Sequence, residues 1–530
     1  MPVDVAVPSL LVTATANPLP RFGGRRTKVA TATIILLTFV LGFWPSFEKA
    51  AAPMDEGTLL VYPELIQHGQ VPYRDFETFY GPANPYVLAA AYSVFGTSIF
   101  VERSVGLVYR VLILLAIFGL TQKWGTLPAA ACTLIAGVLL LMSQLAAYAW
   151  LGGVACGLCA LWALADFERT WRVFVGGLLA GAALLYRPDL MPAMLLAAAP
   201  LLWAMPRRAR LAACAGGASA MIPFAILMIF VGPAELLNNL FIYPVLYSNP
   251  GRRLPLLSAA PLVLRVFSAY LLAAVANVAA GVMALQRARA DRRALLFLGL
   301  SLFALALVPQ AMQRLDLIHL VFVAFLSLGL LPLSFLILAN RSEETRRNFA
   351  ASVAFSTLAV AVVIGVIAPK VWLNAGGAVA AAIDPSMNSA VFLEQNGRSF
   401  PFPSPQAAAV TGKLFEKLDR LSKPGERLFV GPADLRRTNS CDTFIYHLFP
   451  RLQPATYFLE MNPFSANRGG SRLAADVESA DWLVLDMAWD TWREQNASGV
   501  NGPDAPNQAV RTHFNLIGQY GPFVLLKHNP

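Results

Sequence analysis

The sequence predicts an α-helical polytopic membrane protein with a C-terminal α/β domain outside the cytoplasm. Three observations predict it. The 530 residues are 57% hydrophobic and only 14% charged, against roughly 25% charged in ordinary soluble domains. The apolar residues come in blocks of about 17–25, the length that crosses a hydrocarbon core. After about residue 370 those blocks stop, and short helices and strands alternate instead. This composition excludes a soluble cytosolic enzyme, a disordered chain and a nucleic-acid binder. The net charge of +10 lies largely in short loops beside apolar blocks, where basic residues set membrane topology.

Residues 1–28 read as a cytoplasmic arm ending in Arg21, Arg25, Arg26 and Lys28. A span at 29–44 follows. Ala50-Ala51-Ala52 looks like a signal cleavage site, but the long basic leader and the later spans favour a retained helix. Ten further spans are expected at 104–121, 127–144, 149–166, 173–187, 190–205, 211–232, 261–285, 294–309, 317–339 and 349–369. They complete a membrane region over 29–370, with a large first outer loop at 47–103. Within that loop, 84–95 is too short to cross and is expected to lie along the outer interface. Charge supports this parity. The arm and inner loops hold seventeen Lys and Arg, including Arg169, Arg172, Arg289, Arg341, Arg346 and Arg347. The outer loops of the membrane region hold eight, including Lys49, Arg103 and Lys370. An odd number of spans puts 371–530 outside. There helices are expected at 405–421, 443–448 and 472–479, and strands at 427–430, 455–459 and 481–485.

Five cysteines are too few for a disulfide framework in a chain this long. Cys156-Gly-Leu-Cys159 has the spacing of a redox motif. It lies in an apolar segment, where a thiolate is desolvated, so helix packing is the expected role.

Ionisable groups near a bilayer are costly, so their placement carries information. The outer loops gather them: Asp55 and Glu56; Arg74, Asp75 and Tyr80; Arg187 and Asp189; Arg252 and Arg253; Arg314, Asp316 and His319. A carboxylate takes the proton of a hydroxyl nucleophile, and arginine forks match phosphate oxygens. Together they are the parts for moving a group from a lipid phosphate to an alcohol. Arg110, inside the second span, either reaches such a phosphate or pairs with a neighbouring helix. In the tail, Trp482, Trp489 and Trp492 among acidic residues suit either a sugar face or a core.

These outer-loop residues resemble the GT-C glycosyltransferases, closest to their protein-mannosyltransferase-like branch (glycosyltransferase family 39-like). The resemblance covers about 29–370. It is carried by Asp55-Glu56 after the first span, Gly69-x-x-Pro72-Tyr73-Arg74-Asp75, Gly81-Pro82 with Pro85-Tyr86, Phe95-Gly96, and Arg103 opening the next span. It implies a multi-pass protein of a bacterial-type inner membrane, with its N-terminus in the cytoplasm and its active site outside. The implied partners are a polyprenyl-phosphate-linked sugar, a glycan, lipid or protein acceptor, and the bilayer. Asp55 would be the general base of an inverting transfer. Glu56 would share that role or help hold a divalent cation, Mg or Mn. Arg252, Arg253 or Arg314 would hold the donor phosphate, with Arg74, Asp75, Tyr80, Arg187, Asp189, Asp316 and His319 at the substrate. One departure stands out: 143–150 carries no acid, and Asp55 with Glu56 is a thin ligand set for an ion that wants six oxygens. The rival reading is a non-catalytic transporter of lipid-linked glycans or a scaffold. Against it, the sequence has no internal repeat of the kind transporters show.

Overall fold

The computed structural model describes residues 24–256, 259–288, 291–339, 348–384 and 390–530. Most of the N-terminal arm, with Arg289, Arg341, Arg346 and Arg347, lies outside the described residues.

Among the described residues, seven helices are long and apolar enough to cross a membrane, and four shorter apolar helices stand between them. Each of the eleven expected spans falls on one of these helices. Cys156 and Cys159 are both free, on the helix Ala149–Leu164, without a disulfide between them.

The first loop folds into two helices between α1 (Arg25–Phe43) and α4 (Ile99–Thr121): α2 (Asp55–Gln67) and α3 (Ala83–Phe95). The Tyr92 hydroxyl of α3 donates to the Leu59 carbonyl of α2 at 3.0 Å. At the far end of α3, Val94 and Phe95 stay 72% and 74% exposed. An apolar end left uncovered by protein fits a helix lying along a lipid interface.

Beyond the last long apolar helix, Lys370–Ile383 packs beside α1. A hairpin of β1 (Val391–Gln395) and β2 (Arg398–Phe402) follows. The main sheet then runs β4-β3-β5-β7-β6. β3 (Arg427–Pro432), β4 (Gln453–Pro454) and β5 (Trp482–Asp486) are parallel, and β6 (Phe514–Tyr520) and β7 (Phe523–His528) close the sheet antiparallel. The helix Pro405–Leu421 starts at Ser404, whose hydroxyl accepts from the Ala407 N–H at 3.2 Å, and buries Leu414, Phe415 and Leu418.

One expected element is corrected. The strand expected at 455–459 does not form there; a two-residue strand, Gln453–Pro454, ends just before it. Side chains take the backbone donors that a longer ladder would use: Asp476 accepts from Tyr457 N–H and the Thr456 hydroxyl from Phe458 N–H, both at 2.9 Å. The chain therefore leaves the sheet early and forms a loop over 455–467.

That loop defines how the two regions meet. Parallel α/β sheets present ligand-binding loops at the carboxyl ends of their strands, and here those loops face the outer loops of the membrane region. After β3, Phe444 N–H donates to the Pro53 carbonyl at 3.2 Å. After β4, the Tyr457 hydroxyl donates to the Tyr73 carbonyl at 2.7 Å. After β5, Glu494 pairs with Arg314.

Candidate active site

Asp55 is the first residue of α2, where helix N–H groups and the dipole favour a carboxylate. Its side chain is exposed. Pro53 and Met54 just before it touch the C-terminal domain. The Asp55 charge reaches Tyr80, Glu460, Arg314 and Tyr148. Tyr80 in turn feels Arg187 and Arg252. One polar seam thus joins α2, the outer loops carrying Tyr80, Tyr148, Arg187, Arg252 and Arg314, and the C-terminal domain.

Glu56 is turned inward and only 1% exposed. Its carboxylate takes both Nε and Nη2 of Arg103, at 2.8 and 3.0 Å. Arg103 Nη1 also donates to the carbonyls of Ser46, Phe47 and Lys49. Neighbours in sequence are therefore separated in role: Asp55 faces the seam, and Glu56 staples the chain beneath it.

Arg110 reaches no ligand position. Buried completely, it donates to the carbonyls of Gly106, Gln144, Leu145 and Ala146 and to the Ser143 hydroxyl. Glu102 accepts from Ala147 N–H at 2.6 Å. A Cβ on Gly106 would sit 1.9 Å from the Leu145 carbonyl oxygen, so only glycine lets the second outer loop come this close. The acid-free loop is held by two buried polar side chains of α4, Glu102 and Arg110, which keep Tyr148 at the seam.

Arg187 is pinned by Asp189 at 2.9 and 2.6 Å and lies over the rings of Tyr80 and Trp150, 5.5 and 5.3 Å from their centroids. Burial pushes the Asp189 carboxyl up, but Arg187 outweighs it and holds the group below its ordinary range. Arg314 Nη1 donates to the Arg252 carbonyl at 3.2 Å and to Glu494 at 3.0 Å, and its Nε lies 3.2 Å from Asp316. Arg252 is held through Nη2 by the Asn462 carbonyl at 2.7 Å. Arg253 beside it is exposed. Asp316 accepts from the backbone and ring of His319, both at 2.9 Å, so that pair shapes the turn behind Arg314. Arg74 and Asp75 bind each other at 2.7 Å, and Asp75 also accepts from Val71 N–H, so both are engaged at their own turn.

Sequence reasoning left out Glu77, Glu460 and Asn462. Glu77 is 1% exposed and engages Ser465 and Asn462. Burial, with some help from Glu460, pushes its carboxyl up to about 8 despite those hydrogen bonds. Burial raises Glu460 as well. Their signal was position: Glu460 and Asn462 follow a strand of an α/β tail, at the end where ligands bind. Trp489 and Trp492 meet edge to face at 5.8 Å, with Trp489 Nε1 donating to Asp442 at 2.9 Å. Trp492 is 37% exposed, and Trp482 is core.

The Glu77 shift fixes a sign. A carboxyl whose ordinary value is 4.5 and whose folded value is about 8 binds its proton more tightly when folded. Stability is then full below pH 4.5 and falls toward pH 8, by up to about 1.4 kcal/mol per pH unit. Thermal melts from pH 5 to 9 should show this slope in the wild type and its loss in Glu77→Gln. Equal slopes in both would remove Glu77 from the account.

The donor set does not fit a divalent cation. Among the described residues no three His, Cys, Asp or Glu side chains converge as ligands. Both Glu56 oxygens are taken by Arg103, leaving Asp55 short of the six oxygens such an ion needs.

No family model matches the chain, and no curated protein matches its sequence. Solved structures do match its fold. The structure of ArnT from Cupriavidus metallidurans bound to undecaprenyl phosphate aligns with a TM-score of 0.52 and 13% identity, over 95% of this chain and 98% of that one. The apo structure of the same protein gives 0.51 and 13%, over 94% and 97%. The chain has the fold of these ArnT structures.

Proposed function

We propose that this chain is a GT-C membrane glycosyltransferase. It moves a sugar from a polyprenyl-phosphate donor to an acceptor hydroxyl at the outer face of the membrane, with inversion. One observation carries the reading: the exposed Asp55 carboxylate opens α2 in a seam that also holds Arg187, Arg252 and Arg314. The likeness to ArnT bound to undecaprenyl phosphate, over 95% of the chain, supports the donor class. The N-terminus is cytoplasmic and the C-terminal domain extracytoplasmic, as the loop charges predict.

In this mechanism the donor enters sideways between helices and places its phosphate at the arginines. Asp55 takes the proton of the acceptor hydroxyl. That oxygen bonds to the anomeric carbon from the face opposite the phosphate. The carbon–oxygen bond to phosphate breaks, and its electron pair leaves with the lipid phosphate. Arg252, whose guanidinium donates to the Asn462 side-chain oxygen, stabilises that charge. Arg314 is committed to Glu494 and holds the C-terminal domain over the site. Glu56 positions Asp55 through Arg103. Trp492 offers an exposed aromatic face to an acceptor sugar.

The test is sugar transfer in membranes containing the chain, supplied with a panel of radiolabelled polyprenyl-phosphate sugars. Transfer from one donor to a recoverable product is the expected result. Neither transfer nor donor binding across the panel would put the transporter or scaffold reading in its place.

A further inference from the structure

The C-terminal domain reaches into the membrane region at one buried side chain. Asn462 is 3% exposed. Its Nδ2 donates to Glu460 at 3.0 Å and to Glu77 at 3.3 Å, so both amide protons go to buried carboxyls, one from each side of the seam. Its Oδ1 has one donor among the described residues, Arg252 Nη2 at 2.7 Å. An amide whose protons are both fixed cannot turn, and its oxygen is therefore aimed.

The backbone around it is unusual. Met461 and Phe464 have φ of 48° and 61°, in the left-handed region that costs bulky residues energy and that clusters at working sites. Across the seam, Tyr73 has φ of 71°, and its carbonyl accepts from Tyr457. Next to Arg252, a Cβ on Gly251 would meet Pro463 Cβ at 2.6 Å. The strained loop thus packs the side chains of Pro463 and Phe464 directly on the turn that carries Arg252, with room for glycine alone.

Resting on the transfer reading above, we infer that Asn462 is a positioning residue. It holds the Arg252 guanidinium where the donor's lipid phosphate is released, so the C-terminal domain completes the phosphate site. Nη2 is held from the side of the C-terminal domain, which leaves the rest of the fork to meet phosphate oxygens. Burial holds the Glu77 carboxyl up at about 8, which favours its neutral form beside the fork.

The experiment measures binding of radiolabelled undecaprenyl phosphate to the purified full chain in nanodiscs. Arg252→Gln and Asn462→Ala should each weaken binding by about tenfold or more, the usual loss for a hydrogen bond to a charged group. The double variant should bind no more weakly than Arg252→Gln alone, because Asn462 acts through Arg252. Tyr457→Phe, which cuts a different contact across the same seam, should bind like the wild type. If Asn462→Ala does not fold, Asn462→Gln keeps the amide but displaces its oxygen, and should show the same coupling. Independent, additive losses would overturn the inference, as would wild-type binding by Asn462→Ala. Equal weakening by Tyr457→Phe would mean that the seam as a whole, and not Asn462, matters. A wild type that binds no undecaprenyl phosphate would sink the donor reading itself, and the inference with it.

Discussion

Asp55→Asn is expected to lower sugar transfer at least about a hundredfold while leaving binding of the lipid phosphate intact. Removing a general base costs roughly 10²–10⁴ in rate. The substitution keeps the size of the side chain and its place at the first residue of α2. Being exposed, the carboxylate leaves no buried partner stranded when it is neutralised. The loss should therefore fall on kcat and not on KM for the donor, the pattern of an interaction made only in the transition state. Full activity in a folded Asp55→Asn protein would exclude Asp55 as the base even if the enzyme class were right. A matched loss of donor binding would instead move Asp55 among the groups that hold the substrate.

Much of this architecture was legible because it repeats locally. Hydropathy blocks locate the seven long and four shorter apolar helices, since a helix in lipid satisfies its own backbone and needs only length and apolar side chains. The helix Pro405–Leu421 agrees with its amphipathic pattern to the residue. What local pattern cannot carry is which distant groups meet. Asn462 finds Glu77 across 385 residues and Arg252 across 210, and no periodicity encodes that. The apolar run at 455–459 reads as a strand, yet Asp476 and Thr456 capture its donors. The hairpin β1–β2 and the closing strands β6 and β7 are missed because their sequences, VFLEQ, RSFPF, FNLIGQY and FVLLKH, do not alternate apolar and polar residues with period two. Within the site, proximity in sequence misleads. Asp55 and Glu56 look like a shared catalytic pair, but consecutive helical residues point about 100° apart, and one faces the seam while the other faces Arg103.

That division makes a second large prediction. Glu56→Leu should destabilise the protein by about 3–5 kcal/mol, the cost of leaving one charge of a buried pair without its partner. The reason is local. Arg103 is 2% exposed and ties two segments to α4: α2 through Glu56, and the stretch 46–49 through the carbonyls of Ser46, Phe47 and Lys49. Glu56 in addition accepts from Ala52 N–H at 3.2 Å. The first part of the descent from α1 to Asp55 is thus gathered on one guanidinium, and its last residues are tied to the C-terminal domain. Glu56→Leu combined with Arg103→Met should cost less than the two single changes added, since no charge is stranded, yet still more than nothing, since three carbonyls lose a donor. Glu56→Gln keeps an acceptor for Arg103 and should lose part of the stability and only part of the activity. A base behaves otherwise, because its amide variant loses the reaction and keeps the fold. Melting temperatures and transfer rates on the same four proteins separate the two roles. If Glu56→Gln melts like the wild type but transfers no sugar, Glu56 is the base, and Asp55 returns to the loop.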